Sequence, residues 1–205
     1  RILYPMESLD VETELVQAQK VLGITLSEKQ KLAVRMVFAN PISIITGGPG
    51  TGKTTVLKVI LYIHGMKCKS EVQLMAPTGR AARRMAESTG NQNASTMHMA
   101  LGLLGEDYTA EFAYLEAGFV NVDETSMVDM RLAYEFFQRV KGDTRILLVG
   151  DVDQLPSVGA GDVFRQLIQC GLIPVTVLDL VYRQGATSCI PVNAKLMQEG
   201  KIHKP

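Results

Sequence analysis

Charge of one sign is missing from this chain: 21 lysines and arginines balance 21 aspartates and glutamates. The overall field therefore gives no reason to expect a polyanion, and such a partner would have to be held by a local patch. No apolar run approaches the roughly 20 residues that span a bilayer. Arg1 to Asp10 also lack the basic-then-apolar shape of a secretion signal. Cysteine is scarce as well. Cys68, Cys170 and Cys189 are odd in number, far apart and without a CxxC pair. That pattern suits buried thiols in a reducing cytoplasm better than disulfides or zinc ligation. Internal repeats and low-complexity tracts are absent too. What is there is an apolar fraction of 46% against 20% charged, enough for a sizeable core and too apolar for disorder.

Short runs rich in Val and Ile alternate with helical patterns. The runs at 42–46, 72–76, 119–122, 146–149 and 175–178 read as strands buried on both faces, and 27–39, 53–64, 80–88, 129–139 and 161–170 as helices. This alternation predicts an α/β domain, a parallel sheet with helices on both faces, binding ligands at the carboxyl ends of its strands. Ten methionines are expected to fill gaps in the core.

Residues 46–55 read Thr-Gly-Gly-Pro-Gly-Thr-Gly-Lys-Thr-Thr, between an apolar run and an apolar helical pattern. From Gly47 to Thr54 they match G-x-x-x-x-G-K-[ST], the phosphate-binding loop. Gly47, Gly48, Gly50 and Gly52 permit positive-φ turns and close approach, so that backbone N–H groups point at phosphate oxygens. A helix starting near Lys53 adds its positive dipole end. Lys53 can reach the β- and γ-phosphates, and the Thr54 hydroxyl is placed to ligate Mg²⁺. Gly48, Pro49, Gly50, Thr51, Gly52 and Thr55 complete the expected ATP cradle.

The run 119–122 ends in Asp123-Glu124. An Asp at the end of a strand next to the phosphate-loop strand can hold Mg²⁺, while the following Glu polarises the attacking water. Asn121 puts an amide inside that run and needs a partner if buried. The run at 146–149 leads into Gly150-Asp151-Val152-Asp153-Gln154, which can aim the Gln154 amide at a γ-phosphate; Gly-Asp turns alone are common.

Together with Ala76-Pro77-Thr78-Gly79-Arg80-Ala81-Ala82 and Tyr182-Arg183-Gln184, these segments resemble superfamily 1 DNA helicases of the RecD/TraA kind. The resemblance covers roughly residues 24 to 185 and implies the first RecA-like motor domain of such an enzyme, a family that includes the exodeoxyribonuclease V alpha subunit. No nuclease constellation is visible. It implies that Gln30 reads the adenine edge, that Gln154 senses the γ-phosphate, and that Tyr182 stacks on the base while Arg183 contacts the γ-phosphate. It implies ATP and Mg²⁺ as ligands, translocation 5′ to 3′ on single-stranded DNA, and a place in recombination and repair.

On the nucleic-acid side, the resemblance gives Pro77, Thr78, Gly79 and Arg80, and the later Thr96 and His98, to DNA contact. Arg80, Arg83 and Arg84 form the densest basic cluster. From the residues alone they are equally a solvated helix face. The strand preceding Thr78 is expected beside the phosphate-loop strand, and none of the three arginines is expected to touch ATP. His64 and His203 are left structural.

The chain starts at Arg1 and stops at Pro205 soon after a new helical pattern, and is expected to be a piece of a longer protein. Residues 1–23 read as a linker or the edge of a preceding domain, 24–185 as the motor domain, and 186–205 as the approach to a second RecA-like domain. That second domain of the parent chain is an expected partner, as is a multi-subunit recombination complex. A P-loop kinase would need an acceptor pocket and an arginine lid, which no segment resembles. A nucleotide-binding scaffold would have no need of Glu124.

Overall fold

The computed structural model describes residues 9–68, 70–91, 93–103, 112–154 and 157–179. Its strands are β1 (Ile42–Thr46), β2 (Val72–Ala76), β3 (Ala94–Thr96), β4 (Phe119–Val122), β5 (Arg145–Gly150) and β6 (Val175–Val177). All pair in parallel, in the order β3-β2-β4-β5-β1-β6. Every residue of β4 and β5 is buried, as central strands covered on both faces must be.

The helices are α1 (Glu12–Leu22), α2 (Glu28–Ala39), α3 (Lys53–Lys67), α4 (Gly79–Thr89), α5 (Met97–Ala100), α6 (Met130–Arg139) and α7 (Val163–Gln169). The starts of α2, α4, α5, α6 and α7 are set by side chains that satisfy orphan N–H groups. Ser27 opens α2 with a reciprocal capping box to Gln30. Thr78, Asp129 and Asp162 accept from the backbone of Ala81, Leu132 and Arg165 at the heads of α4, α6 and α7. These caps place the observed starts within two residues of those expected.

Two apolar layers sandwich the sheet. On one face Leu15, Ala33, Val56, Val59 and Met85 of α1 to α4 pack on Ile45, Leu74, Phe119 and Leu147. On the other, Met97, Leu132, Phe136 and Phe164 of α5 to α7 pack on Ile44, Met75, Val120 and Leu148. A wholly buried side chain such as Phe119 contributes roughly 1.5–3 kcal/mol by leaving water. Helix α1 lies against α3 and adds Val11, Leu15 and Ala18 to the first layer.

At five points the structure departs from or adds to these expectations. The strand β4 does not neighbour β1, because β5 inserts between them, and β2 lies beyond β4. Order in a parallel sheet is set by which helix layer each crossover packs into, and runs of similar hydropathy carry no record of it. The pair β3–α5 was not foreseen as structure, since Ala94–Thr96 is half-buried and becomes a strand only by pairing with β2. Asn121, fully buried, donates from Nδ2 to the Met85 sulfur at 3.3 Å, while its Oδ1 has no partner. Cys68 is partly buried and Cys170 exposed, so those two are not the sealed thiols expected; Cys189 lies outside the described residues. Of the methionines, Met75, Met85 and Met97 fill the core, but Met99, Met127 and Met130 are exposed.

Candidate nucleotide and nucleic-acid site

All six strands point the same way, so the loops leaving their carboxyl ends share one edge of the sheet. The loop after β1 wraps into α3. Gly50 and Gly52 take φ of +80° and +88°, conformations that L side chains avoid. A Cβ on Gly52 would lie 2.3 Å from Gln30 Nε2, so the close approach of α2 also requires glycine there. Thr51 Oγ1 donates to the Gly48 carbonyl at 2.9 Å and closes the turn. The Lys53 ammonium, at the first position of α3, donates to the carbonyls of Gly47 and Gly48.

Beside this loop lies a cavity of about 260 Å³. Pro49, Gly50, Thr51, Gly52, Lys53, Thr54 and Thr55 form one wall, Asp123, Glu124 and Gln154 a second, and Arg84, Met85 and Ser88 of α4 a third. Burial lowers the pKa of Lys53, and the carboxylates of Asp151, Asp123 and Glu124 push back against that. Burial raises the pKa of Asp123. The Glu124 N–H, which donates to Asp123 Oδ1 at 2.9 Å, opposes that rise, the Glu124 carboxylate adds to it, and Lys53 and Arg84 draw it down. A cation-binding carboxylate held away from water in this way is under-compensated until a positive charge arrives.

Glu124 itself has φ +52°. No other non-glycine described residue has a positive φ, and such backbone strain concentrates at sites that need a side chain aimed. A 3₁₀ turn over Thr125–Met127 follows, pinned by Thr125 Oγ1 donating to the Val122 carbonyl at 2.9 Å and Met127 N–H to the Glu124 carbonyl at 3.0 Å. At the end of β5, a Cβ on Gly150 would lie 2.9 Å from Phe164 and 3.2 Å from the Ser126 nitrogen. The two acidic turns can therefore meet only over a glycine.

The arrangement fits a magnesium–triphosphate ligand. The loop and α3 offer backbone N–H groups and an ammonium for the phosphates. No group of three or more His, Cys, Asp or Glu side chains among the described residues is placed to hold a metal unaided. One hydroxyl and one carboxylate, Thr54 and Asp123, suit Mg²⁺, which keeps waters and shares phosphate oxygens.

Gln30 departs from expectation. It is 3% exposed; its Oε1 accepts from Ser27 N–H at 3.0 Å and its Nε2 donates to the Thr51 carbonyl at 3.2 Å. It braces the phosphate loop from beneath and is not part of the cavity wall, so reading adenine would require the amide to leave one of these bonds. Tyr182 and Arg183 lie outside the described residues.

The second cluster lies at the far side of the same edge. Register pairs Ala76 with Thr96, which sets Pro77, Thr78, Gly79 and Arg80 beside Thr96 and His98. Gly79 could bear a Cβ 3.9 Å from the Thr96 methyl. Thr78 Oγ1 accepts from Ala81 N–H, which leaves its own proton to donate outward. The arginines divide. All three are exposed, but Arg84 also lines the nucleotide cavity and donates from Nη2 to Glu124 Oε1 at 2.6 Å. Arg84, expected like the other two not to touch ATP, thus lies at the wall of the cavity beside the phosphate loop. Helix α4 passes over α3, and that crossing brings its second turn to the cavity. Arg84 and Asp151 are the two charged groups that sequence reading did not assign. Asp151 was visible only as a common Gly-Asp turn, and Arg84 only as one member of a basic run.

Fold and site together define a P-loop nucleotide-binding domain with a RecA-like parallel sheet. The chain belongs to the family described as AAA domain, whose model matches residues 30–160. Among curated proteins it is 40% identical over 165 residues to the RecBCD enzyme subunit RecD of Haemophilus influenzae, covering 68% of this chain and 26% of that protein. It is 39% identical over 168 residues to the ATP-dependent RecD2 DNA helicase of Deinococcus radiodurans, covering 80% and 23%. The chain thus spans about a quarter of the length of these relatives. The Pif1 helicase from Candida albicans superposes with a TM-score of 0.68 at 23% identity, over 88% of this chain and 46% of that one, a likeness of fold. These relationships are those of a RecD-type superfamily 1 helicase motor domain. No helix among the described residues is long and apolar enough to cross a membrane.

Proposed function

We propose that this chain is the first motor domain of an ATP-dependent DNA helicase acting in recombination and repair, which couples ATP hydrolysis to movement along single-stranded DNA. The observation that carries the reading is a single cavity that collects Lys53, Asp123, Glu124 and Gln154 from three different strand ends. The strand-end cluster around Thr78 and Thr96 shares that sheet edge. In this reading Lys53 and the N–H groups at the head of α3 carry the β- and γ-phosphate charge. Thr54 and Asp123 would hold Mg²⁺, which when bound would neutralise charge on the phosphate oxygens. Glu124 accepts a proton from the attacking water, and Gln154, exposed at the cavity wall, reports whether a γ-phosphate is present. Arg183 and Tyr182 supply a further phosphate contact and a stacking surface.

DNA phosphates are held by Pro77, Thr78, Gly79, Arg80, Thr96 and His98, through backbone N–H groups, hydroxyls and the guanidinium. The parent protein contributes a second RecA-like domain that closes the cavity, so the chain alone binds nucleotide weakly and turns it over slowly. The relatives' names support assembly of the parent with other recombination subunits, and the direction of travel is 5′ to 3′.

The test is ATP turnover by the full-length protein with and without single-stranded DNA, followed by unwinding of duplexes with 5′ or 3′ tails. DNA-stimulated turnover and unwinding of the 5′-tailed duplex are expected. Turnover indifferent to DNA refutes the motor, and a preference for 3′ tails refutes the polarity.

A further inference from the structure

We infer that Arg84 is a positioning residue that ties the hydrolytic carboxylate of Glu124 to α4, the helix whose first turn carries the proposed DNA contacts. The inference rests on the reading of Glu124 as the general base. It adds a side chain that neither contacts DNA at the strand ends nor belongs to the phosphate loop.

Three observations support it. The Glu124 main chain is fixed by its own N–H and carbonyl bonds, but its carboxylate has Arg84 as its single ion-pair partner among the described residues. The pair is lopsided: the Glu124 side chain is 17% exposed and that of Arg84 65%. A solvated guanidinium reaches in to hold a mostly buried carboxylate at 2.6 Å. An ion pair with one member so exposed adds little to folding stability, so its placement on a strained residue inside the cavity is better explained by orientation than by support of the fold.

The third observation is the helix that carries it. Arg84 follows Arg80 by four residues, one turn and about 6 Å along the same stripe. Between them, Ala81 and Ala82 are buried, and Met85 just beyond, so α4 is packed as a stiff rod from Thr78 to the cavity. A displacement of its first turn on binding a phosphate backbone reaches the Glu124 carboxylate without passing through the phosphate loop. The covalent route is longer: from α4 the chain runs through β3 and α5 before it reaches β4 and Glu124.

The experiment uses the full-length protein and compares Arg84→Ala, Arg84→Lys and Glu124→Gln. For Arg84→Ala we expect kcat for ATP in the presence of DNA to fall about tenfold with KM within twofold, and the DNA stimulation factor to approach one. Affinity for single-stranded DNA and its salt slope should stay at parental values. Because only ATP has a γ-phosphate, the ratio of ATP to ADP affinity should also stay unchanged. Arg84→Lys should recover part of kcat, since a shorter cation still reaches the carboxylate. In the Glu124→Gln background, single-turnover rates should not fall further when Arg84 is replaced. A changed ATP-to-ADP ratio, or losses that multiply in the double variant, would show that Arg84 acts on phosphate directly and overturn the proposal. Unchanged kcat and stimulation would overturn it as an idle surface pair. If Glu124→Gln alone keeps parental turnover, the underlying assignment of the base fails instead, a result separable from all of these. Arg84→Lys retains the charge and stem of the native residue, so the comparison stands even if the alanine variant folds poorly.

Discussion

Replacing Gln30 with Ala tests whether the residue braces the phosphate loop or reads a base. Two hydrogen bonds are lost. The bond from Ser27 N–H to Oε1 at 3.0 Å is part of a capping box and worth about 0.5–1.5 kcal/mol. The bond from Nε2 to the Thr51 carbonyl at 3.2 Å is buried, and losing it leaves that carbonyl unsatisfied at a cost of about 1–3 kcal/mol. The Ser27 side chain can still cap the N–H at position 30, so these two losses are the whole cost, about 1.5–4.5 kcal/mol. That is a large share of the roughly 5–15 kcal/mol of a typical domain, and it should lower Tm by roughly 3–18 °C for a domain of this length. Thr51 sits in the cradle, so its release reduces the fraction of molecules with a binding-competent loop, and any ligand of the loop suffers alike. Calorimetry with ATP and with inorganic triphosphate should therefore show the same fold loss for both. Weakening of ATP alone, with Tm within a degree of the parent, would refute the brace and restore Gln30 to adenine recognition.

Lys53→Ala should abolish ATP turnover in the full-length protein while leaving it folded, and Glu124→Gln should keep ATP binding but stop turnover, both measurable by phosphate release and nucleotide titration. Asp123→Asn should raise Tm of the nucleotide-free protein at neutral pH. Burial raises the folded-state pKa above the ordinary 3.8, so the native carboxyl favours folding below that value and loses this contribution as pH rises through the folded pKa. The Tm advantage of the variant should therefore vanish below pH 3.8; an advantage that persists there contradicts the cause given. Arg80→Ala with Arg83→Ala should lower the slope of log affinity against log salt for single-stranded DNA by about 1.4, two contacts at roughly 0.7 each, and an unchanged slope returns both to a solvated helix face.

The phosphate loop was legible because its chemistry is local. Gly52 must take φ +88° and Lys53 must follow it at the head of a helix, so consecutive residues suffice to recognise it. The inner strands were legible because burial on both faces demands apolar runs, and β1, β2, β4 and β5 appeared where such residues cluster; β6, at the sheet edge, was found in the same way although Val177 is exposed. Strand β3 escaped notice since its half-buried Ala-Ser-Thr has no apolar signature and owes its form to β2. For the site, Asp123, Glu124 and Gln154 were found as strand-end residues, and the cavity joins them to the loop.

What the sequence determined alone is therefore the class of fold, the phosphate-binding loop and the family, all of which depend on short-range pattern. Which strands lie side by side, and what α4 covers, were decided by tertiary packing. The insertion of β5 between β1 and β4 follows from the layer into which each crossover helix buries its apolar face. The packing of α4 against α3 brings one arginine of an exposed basic run into an ion pair with Glu124. Packing also buries Gln30, expected from the sequence at the adenine edge, beside Gly52 with its amide bonded to the Thr51 carbonyl. Each of these depends on contacts between residues remote in sequence, and the free energy of such contacts is not carried by any one segment of the chain.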